Sequence, residues 1–206
     1  MDFVNLFKVI PPLSQGVKQG DRIGNRVRVM SLKVGMTMNM VSPPYAPTDT
    51  GRCGVYFDIY FFKVIQKPSY DQLVTSADLD YFLQAGGAFN GYTGAPFNWH
   101  QNINQDRFNL LYRKRILMNN QFFKSQAQGL EYESYGQNSN ASYSCTIPMT
   151  KKVLKNLKYQ DQISNPVNDA IYAVVVATRA DNVYPTDETF PVGQVTFFST
   201  MVYEDA

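Results

Sequence analysis

Fifteen residues of strict alternation, broken once, constrain this chain more than anything else in it. After a polar, glycine-punctuated turn (Gln19, Gly20, Asp21, Gly24, Asn25), the run from Arg26 to Met40 reads RVRVMSLKVGMTMNM. Apolar residues at every second position mark a strand with one buried face. Val27 and Val29 fall on odd numbers, whereas Met30, Leu32, Val34, Met36, Met38 and Met40 fall on even ones. One residue has therefore been inserted near Val29 and Met30, which predicts a β-bulge that re-aims the side chains and bends a long strand. Arg22, Arg26, Arg28 and Lys33 are interleaved with the apolar positions.

The rest of the chain supports an all-β assignment. Aromatics make up 14% of 206 residues, enough strand formers for one substantial core and too short a chain for two all-β domains, so residues 1–206 are read as a single domain. Phe3 to Ile10 predicts a short strand stopped by Pro11 and Pro12. Cys53 to Ile65 (CGVYFDIYFFKVI) is apolar on both faces and must be covered on both, by an opposing sheet and by something further, such as a neighbouring subunit. Ser69 with Gln72 has the form of a capping box, and Leu73, Val74, Leu79, Phe82 and Leu83 fit a helical stripe, so a helical insertion is expected over residues 69–84. A glycine-rich loop is expected from Gly86 to Asn104. Strands are expected at Arg107 to Met118, Ser142 to Tyr159, Ala170 to Thr178 and Val192 to Tyr203, with a polar loop from Gln126 to Asn140. Strands at long intervals without βαβ alternation argue an antiparallel sandwich, and the long loops favour a two-sheet jelly roll over a closed barrel.

Several functions have no residues to carry them. The single histidine, His100, has no nucleophile or orienting carboxylate at a recognisable spacing, so no enzyme is expected. The glycines from Gly86 to Gly94 lack the Lys-Ser/Thr of a phosphate loop. Cys53 and Cys145 are too few for a disulfide scaffold or a zinc site. No cofactor is expected; the carboxylate pairs Asp78/Asp80, Glu131/Glu133, Asp187/Glu188 and Glu204/Asp205 could at most hold a structural calcium. No apolar run approaches the 18 residues of a spanning helix, so no membrane insertion is expected.

Charge is segregated beneath a net +2. Residues 1–35 carry +4 and residues 107–158 carry +7, balanced by −3 over residues 36–106 and −6 over residues 159–206. Basic blocks brought to one surface can meet a polyanion. The expected phosphate-contacting set is Arg22, Arg26, Arg28, Lys33, Arg113, Lys114, Arg115, Lys151, Lys152, Lys155 and Lys158.

The string QGDRIGNRVRVMSLKV resembles the stretch that opens the capsid fold of circular, Rep-encoding single-stranded DNA (CRESS-DNA) viruses and of the satellite tobacco necrosis virus coat protein. The order of later elements is similar too: Arg22-Ile23-Gly24, the aromatic strand at Cys53 to Ile65, the helical signal at 69–84, Arg107-Phe108, and a terminal strand ending in Tyr203-Glu204-Asp205-Ala206. The resemblance covers roughly residues 15–206. It implies an eight-stranded jelly roll that self-assembles into a small icosahedral, T=1-like shell, a homo-oligomer enclosing single-stranded nucleic acid without sequence specificity. The location it implies is the virion, with assembly inside the host cell, in the nucleus for a DNA genome. Such coats usually begin with an arginine- and lysine-rich arm; here only Lys8 and Lys18 precede Arg22, so either residues 1–14 are the remnant of a shortened arm or the interior face of the folded domain itself meets the nucleic acid. The alternative is a jelly-roll module that binds a carbohydrate or receptor through the loop bearing Tyr92, Phe97, Trp99 and His100, without building a shell.

Overall fold

The computed structural model describes residues 6–18, 20–40, 54–72, 82–84, 102–119, 122–127, 130–135, 142–179 and 193–205. Ten strands run through them: β1 (Phe7–Lys8), β2 (Arg26–Met40), β3 (Gly54–Val64), β4 (Phe108–Asn119), β5 (Phe122–Ala127), β6 (Leu130–Tyr135), β7 (Ser142–Pro148), β8 (Asn156–Lys158), β9 (Tyr172–Arg179) and β10 (Gly193–Asp205). Among the described residues there is no helix. Two antiparallel sheets hold the core, one in the order β1-β9-β3-β4, the other in the order β10-β2-β7 with β8 also on β2. β5 and β6 pair separately as a hairpin.

The phase change in β2 is the predicted bulge. Val202 pairs with Ser31 and Tyr203 with Val29, so Met30 is passed over. Val27 and Val29 are buried before it, and Leu32, Val34, Met36 and Met38 after it. The turn at residues 149–155 follows the bend: Met149 N donates to Leu32 O, Leu32 N to Thr150 Oγ1 and Val29 N to Lys155 O. Backbone groups that a straight neighbour would leave unpaired are thereby satisfied.

β3 is buried on both faces, as its sequence requires, and the second cover comes from this chain. Phe57, Ile59 and Phe61 alternate with Asp58, Tyr60 and Phe62, all within 1% of full burial. Phe82 packs edge-on against Tyr60, Phe62 and Phe108, with ring centroids 5.6, 5.2 and 5.2 Å apart. A neighbouring subunit is not needed to cover that face.

Two expectations are corrected. The pattern taken as helical over 69–84 does not give a helix where it is described. Gln72 Oε1 accepts from Ser69 N at 3.4 Å, one half of the expected box, but Leu83 is extended and bridges Ile103; residues 73–81 lie outside the described residues. Phe82 and Leu83 are both buried; Phe82 lies over the aromatic face of β3, and Leu83, bridged to Ile103, is part of an extended segment and not of a helical stripe. The second correction concerns Gln126 to Asn140, expected as a polar loop, where β5 and β6 form a hairpin with Phe122 opposite Tyr135 and Ser125 opposite Tyr132.

Beyond the ladder of β1 with β9, one hydroxyl ties the chain just after β1 to this sheet. Tyr70 OH accepts from Ile10 N at 3.1 Å and Ile171 N at 3.0 Å, and donates to Ile171 O. Tyr70→Phe strands two buried amides and should cost about 2–4 kcal/mol in denaturant unfolding. Burial raises the ionisation of Tyr70 and of Tyr159 above the ordinary phenol value of 10.0. Their contribution is complete below that value and is lost as pH climbs past it, because the unfolded phenols ionise first. Unfolding midpoints measured from pH 8 to 11 should fall only at the alkaline end, and less steeply for Tyr70→Phe.

Candidate nucleic-acid interface

The bulge decides where the basic side chains of β2 go. Before it, even-numbered residues face outward, so Arg26 and Arg28 leave the core; after it, odd-numbered residues do, so Lys33 joins them on the same outer face. Were Met30 held in the ladder and not bulged out of it, Lys33 would point at the opposing sheet. β8 adds Lys158, whose Cα partner across the ladder is Arg26. Two exposed cations directly opposite repel one another, and neither has an ion-pair partner among the described residues. Arg28 differs: it donates to Glu204 at 2.9 Å, both side chains about half exposed, a pair that contributes little to stability.

Lys151, Lys152 and Lys155 are exposed on the turn that follows the bulge. Between the charges the outer face is polar: Thr37 meets Ser144 at 2.9 Å, and Ser142 donates to Asn39 at 2.6 Å. One aromatic stands in the middle. Phe198 is 60% exposed and opposite Gly35, with its ring filling the space that a Cβ on Gly35 would need. Only glycine lets the ring lie down on the sheet, its other side open to solvent. Sequence reasoning missed Phe198; the signal available was a lone glycine inside an alternating strand, which marks a close approach.

The remaining expected cations are elsewhere. Arg22 is completely buried. It donates through Nη1 to Gly24 O (2.7 Å) and Asn25 Oδ1 (2.9 Å), and through Nη2 to Gln160 O (2.7 Å) and Ile163 O (3.0 Å), with its guanidinium 4.8 Å from the centroid of the Tyr159 ring. It locks the turn before β2 onto the segment after β8 and does not reach a surface phosphate. Arg113 and Arg115 lie on the outer face of the other sheet. Arg115 grips the buried Asp58 with two bonds of 2.8 and 3.0 Å, and Arg113 approaches the same carboxylate at 3.8 Å. The β3–β4 register, with Arg115 opposite Asp58 and Arg113 opposite Tyr60, places both arginines on the Asp58 face of β3. Lys114 points the other way and donates to Tyr143 OH at 2.7 Å, across the rim between β4 and β7; that bond holds its amine above the usual lysine range.

The basic block of residues 107–158 is thus divided between two sheets. Arg26, Arg28, Lys33 and Lys158 share one face, with Lys151, Lys152 and Lys155 on the adjoining turn, while Arg113, Lys114 and Arg115 do not join them. Tyr92, Phe97, Trp99 and His100 lie outside the described residues, as do the side chains of Asp78/Asp80, Glu131/Glu133 and Asp187/Glu188. The fourth carboxylate pair is engaged: Glu204 by Arg28, and Asp205 by the amide of Ile23 at 3.2 and 3.3 Å. Among the described residues no three potential metal ligands come together. Cys145, half-buried, has its thiol pushed up by burial and stays protonated at neutral pH.

No protein-family model matches this sequence, and no curated protein matches it.

Proposed function

We propose that this chain is a coat subunit of jelly-roll type, self-assembling into a closed shell, with the outer face of the β10-β2-β7 sheet turned toward single-stranded nucleic acid. One observation carries the jelly-roll part of the proposal: the order of the strands. An eight-strand antiparallel ribbon, with strand 1 paired to 8, 2 to 7, 3 to 6 and 4 to 5, rolls into sheets of order 1-8-3-6 and 2-7-4-5. Taking β1, β2, β3, β4, β7, β9 and β10 as ribbon strands 2 to 8 in turn, the observed orders β1-β9-β3-β4 and β10-β2-β7 fall on 2-7-4-5 and 8-3-6. The hairpin β5-β6 and the short β8 are then insertions. The basic strand β2 becomes the third of the ribbon and not its opening strand.

Jelly rolls serve coats and binding modules alike, so the fold does not choose between them. The choice rests on the opposed Arg26 and Lys158, beside Arg28 and Lys33: a face built to repel itself is relieved by a polyanion. Contact would be to phosphate, independent of base sequence, and weakened by salt as counterions are released. Phe198 offers a platform on which a base stacks. Filter binding of a single-stranded homopolymer between 50 and 300 mM salt tests this; affinity should fall steeply, with a log-log slope near −0.7 per phosphate contacted. A flat response would remove the nucleic-acid half of the proposal. Phe198→Ala should lower affinity about 5- to 150-fold while leaving that slope unchanged, since stacking is worth about 1–3 kcal/mol and releases no counterion.

A further inference from the structure

Charge on the outer face of the β10-β2-β7 sheet is almost all of one sign. Among the described residues its outward rows carry four cations, Arg26, Arg28 and Lys33 on β2 and Lys158 on β8, and one carboxylate, Glu204 on β10. That carboxylate stands directly opposite Arg28 in the ladder, where its Oε1 accepts from Arg28 Nη1 at 2.9 Å. The neighbouring acid is engaged elsewhere: both oxygens of Asp205 accept from the amide of Ile23. Position gives the pairing its weight. Arg26 lies two residues before Arg28, about 7 Å along the strand, and Lys33 pairs with Thr200, four residues and about 14 Å from Glu204 on the other side. A polyanion running from the opposed Arg26 and Lys158 to Lys33 and the ring of Phe198 therefore crosses Arg28. There it meets a cation whose charge is already cancelled.

We propose that Glu204 is the affinity-limiting residue of this face, its carboxylate standing at Arg28 where a phosphate would otherwise stand. This rests on the reading of the face as a nucleic-acid interface, and adds that phosphate is held on either side of Arg28 and not at it. Stability does not account for the pair: it is one hydrogen bond between side chains about half exposed, and such surface pairs add little to folding. Its effect on a ligand is larger. With Glu204 uncharged, Arg28 would complete a row with Arg26 and Lys33, and a bound strand would release the counterions of one further phosphate. The carboxylate thus sets how many phosphates the face holds and how readily salt displaces them.

The test is filter binding of a single-stranded homopolymer to the full chain across a salt series, with a thermal melt of each variant. Glu204→Gln should raise affinity roughly 3- to 10-fold at low salt and steepen the log-log slope by about 0.7, the value of one added phosphate contact. Arg28→Gln combined with Glu204→Gln removes both charges of the pair and should return affinity and slope to those of the unaltered protein. Asp106→Asn, at an exposed carboxylate just before β4 on the other sheet, adds the same net charge as Glu204→Gln and should leave the slope unchanged. All three variants should melt within about 4 °C of the unaltered protein. The proposal is overturned if Glu204→Gln binds with the original slope, or if Asp106→Asn steepens it equally. A double variant with a flatter slope than the unaltered protein would also overturn it, because Arg28 would then already hold a phosphate. If neither the unaltered protein nor Glu204→Gln binds at any salt, the nucleic-acid reading itself falls and takes this one with it.

Discussion

Arg22→Met is expected to lower the unfolding free energy by about 3–5 kcal/mol, because it deletes a fully buried cation and leaves four acceptors without their donor. Two of those acceptors, Gln160 O and Ile163 O, belong to a segment more than 130 residues away in sequence. The guanidinium is therefore a long-range clamp between the turn that starts β2 and the chain that leaves β8. In a thermal melt the loss should appear as a fall of about 6–20 °C for a domain of this size. Arg22→Lys should recover only part of it, since an ammonium cannot reproduce the planar fork that reaches both sides at once. A variant that melts normally yet binds nucleic acid more weakly would contradict this assignment and restore Arg22 to the surface set.

The second large effect concerns function. Arg26→Glu, Lys33→Glu and Lys158→Glu combined should reduce affinity for single-stranded homopolymer on the order of a hundredfold or more at low salt, and flatten the log-log salt slope by about 2. Stability should change little, because all three side chains are exposed and the triple change exchanges one like-charge opposition, between residues 26 and 158, for another. The control is Arg113→Gln with Lys114→Gln. These residues belong to the same basic block in sequence but sit on the other sheet, so neutralising them should leave the salt slope where it was. Equal losses from both variants would mean that binding follows net charge and not the face assembled by the bulge.

Those two results mark the limit of what could be read from the residues in order. The bulge was legible because a period-two pattern changes parity when one residue is inserted, and no other local event does so. β3, β9 and β10 were legible for the same reason, as long apolar or alternating runs bounded by Pro, Gly and Asn. What alternation does not report is which sheet a strand joins. Arg113, Lys114 and Arg115 therefore looked like one basic cluster with the lysines of residues 151–158, although β4 pairs with β3 and the arginines answer Asp58. That aspartate was itself a clue, a lone carboxylate inside an aromatic strand, which burial obliges to find cations. Arg22 gave no local sign of burial, since the groups that satisfy it are distant in sequence. The helical expectation failed at Phe82 and Leu83 because an amphipathic stripe and two adjacent cover residues have the same composition, and the aromatic face of β3 decided between them.

The surplus of apolar surface that sequence alone would assign to subunit contacts is largely spent inside the molecule, by Phe82 and Tyr70 against β3 and β9. Exposed apolar side chains remain at Val17, Ile23, Ile65, Leu117, Phe198 and Val202. Coat assembly thus has to be judged on particles. The most direct measurement is electron microscopy of the purified protein at neutral pH and moderate salt, with sedimentation and the ultraviolet absorbance ratio of the same fractions. The account predicts closed shells of uniform size whose absorbance reports enclosed nucleic acid; a protein that stays monomeric under those conditions and carries no nucleic acid would contradict it.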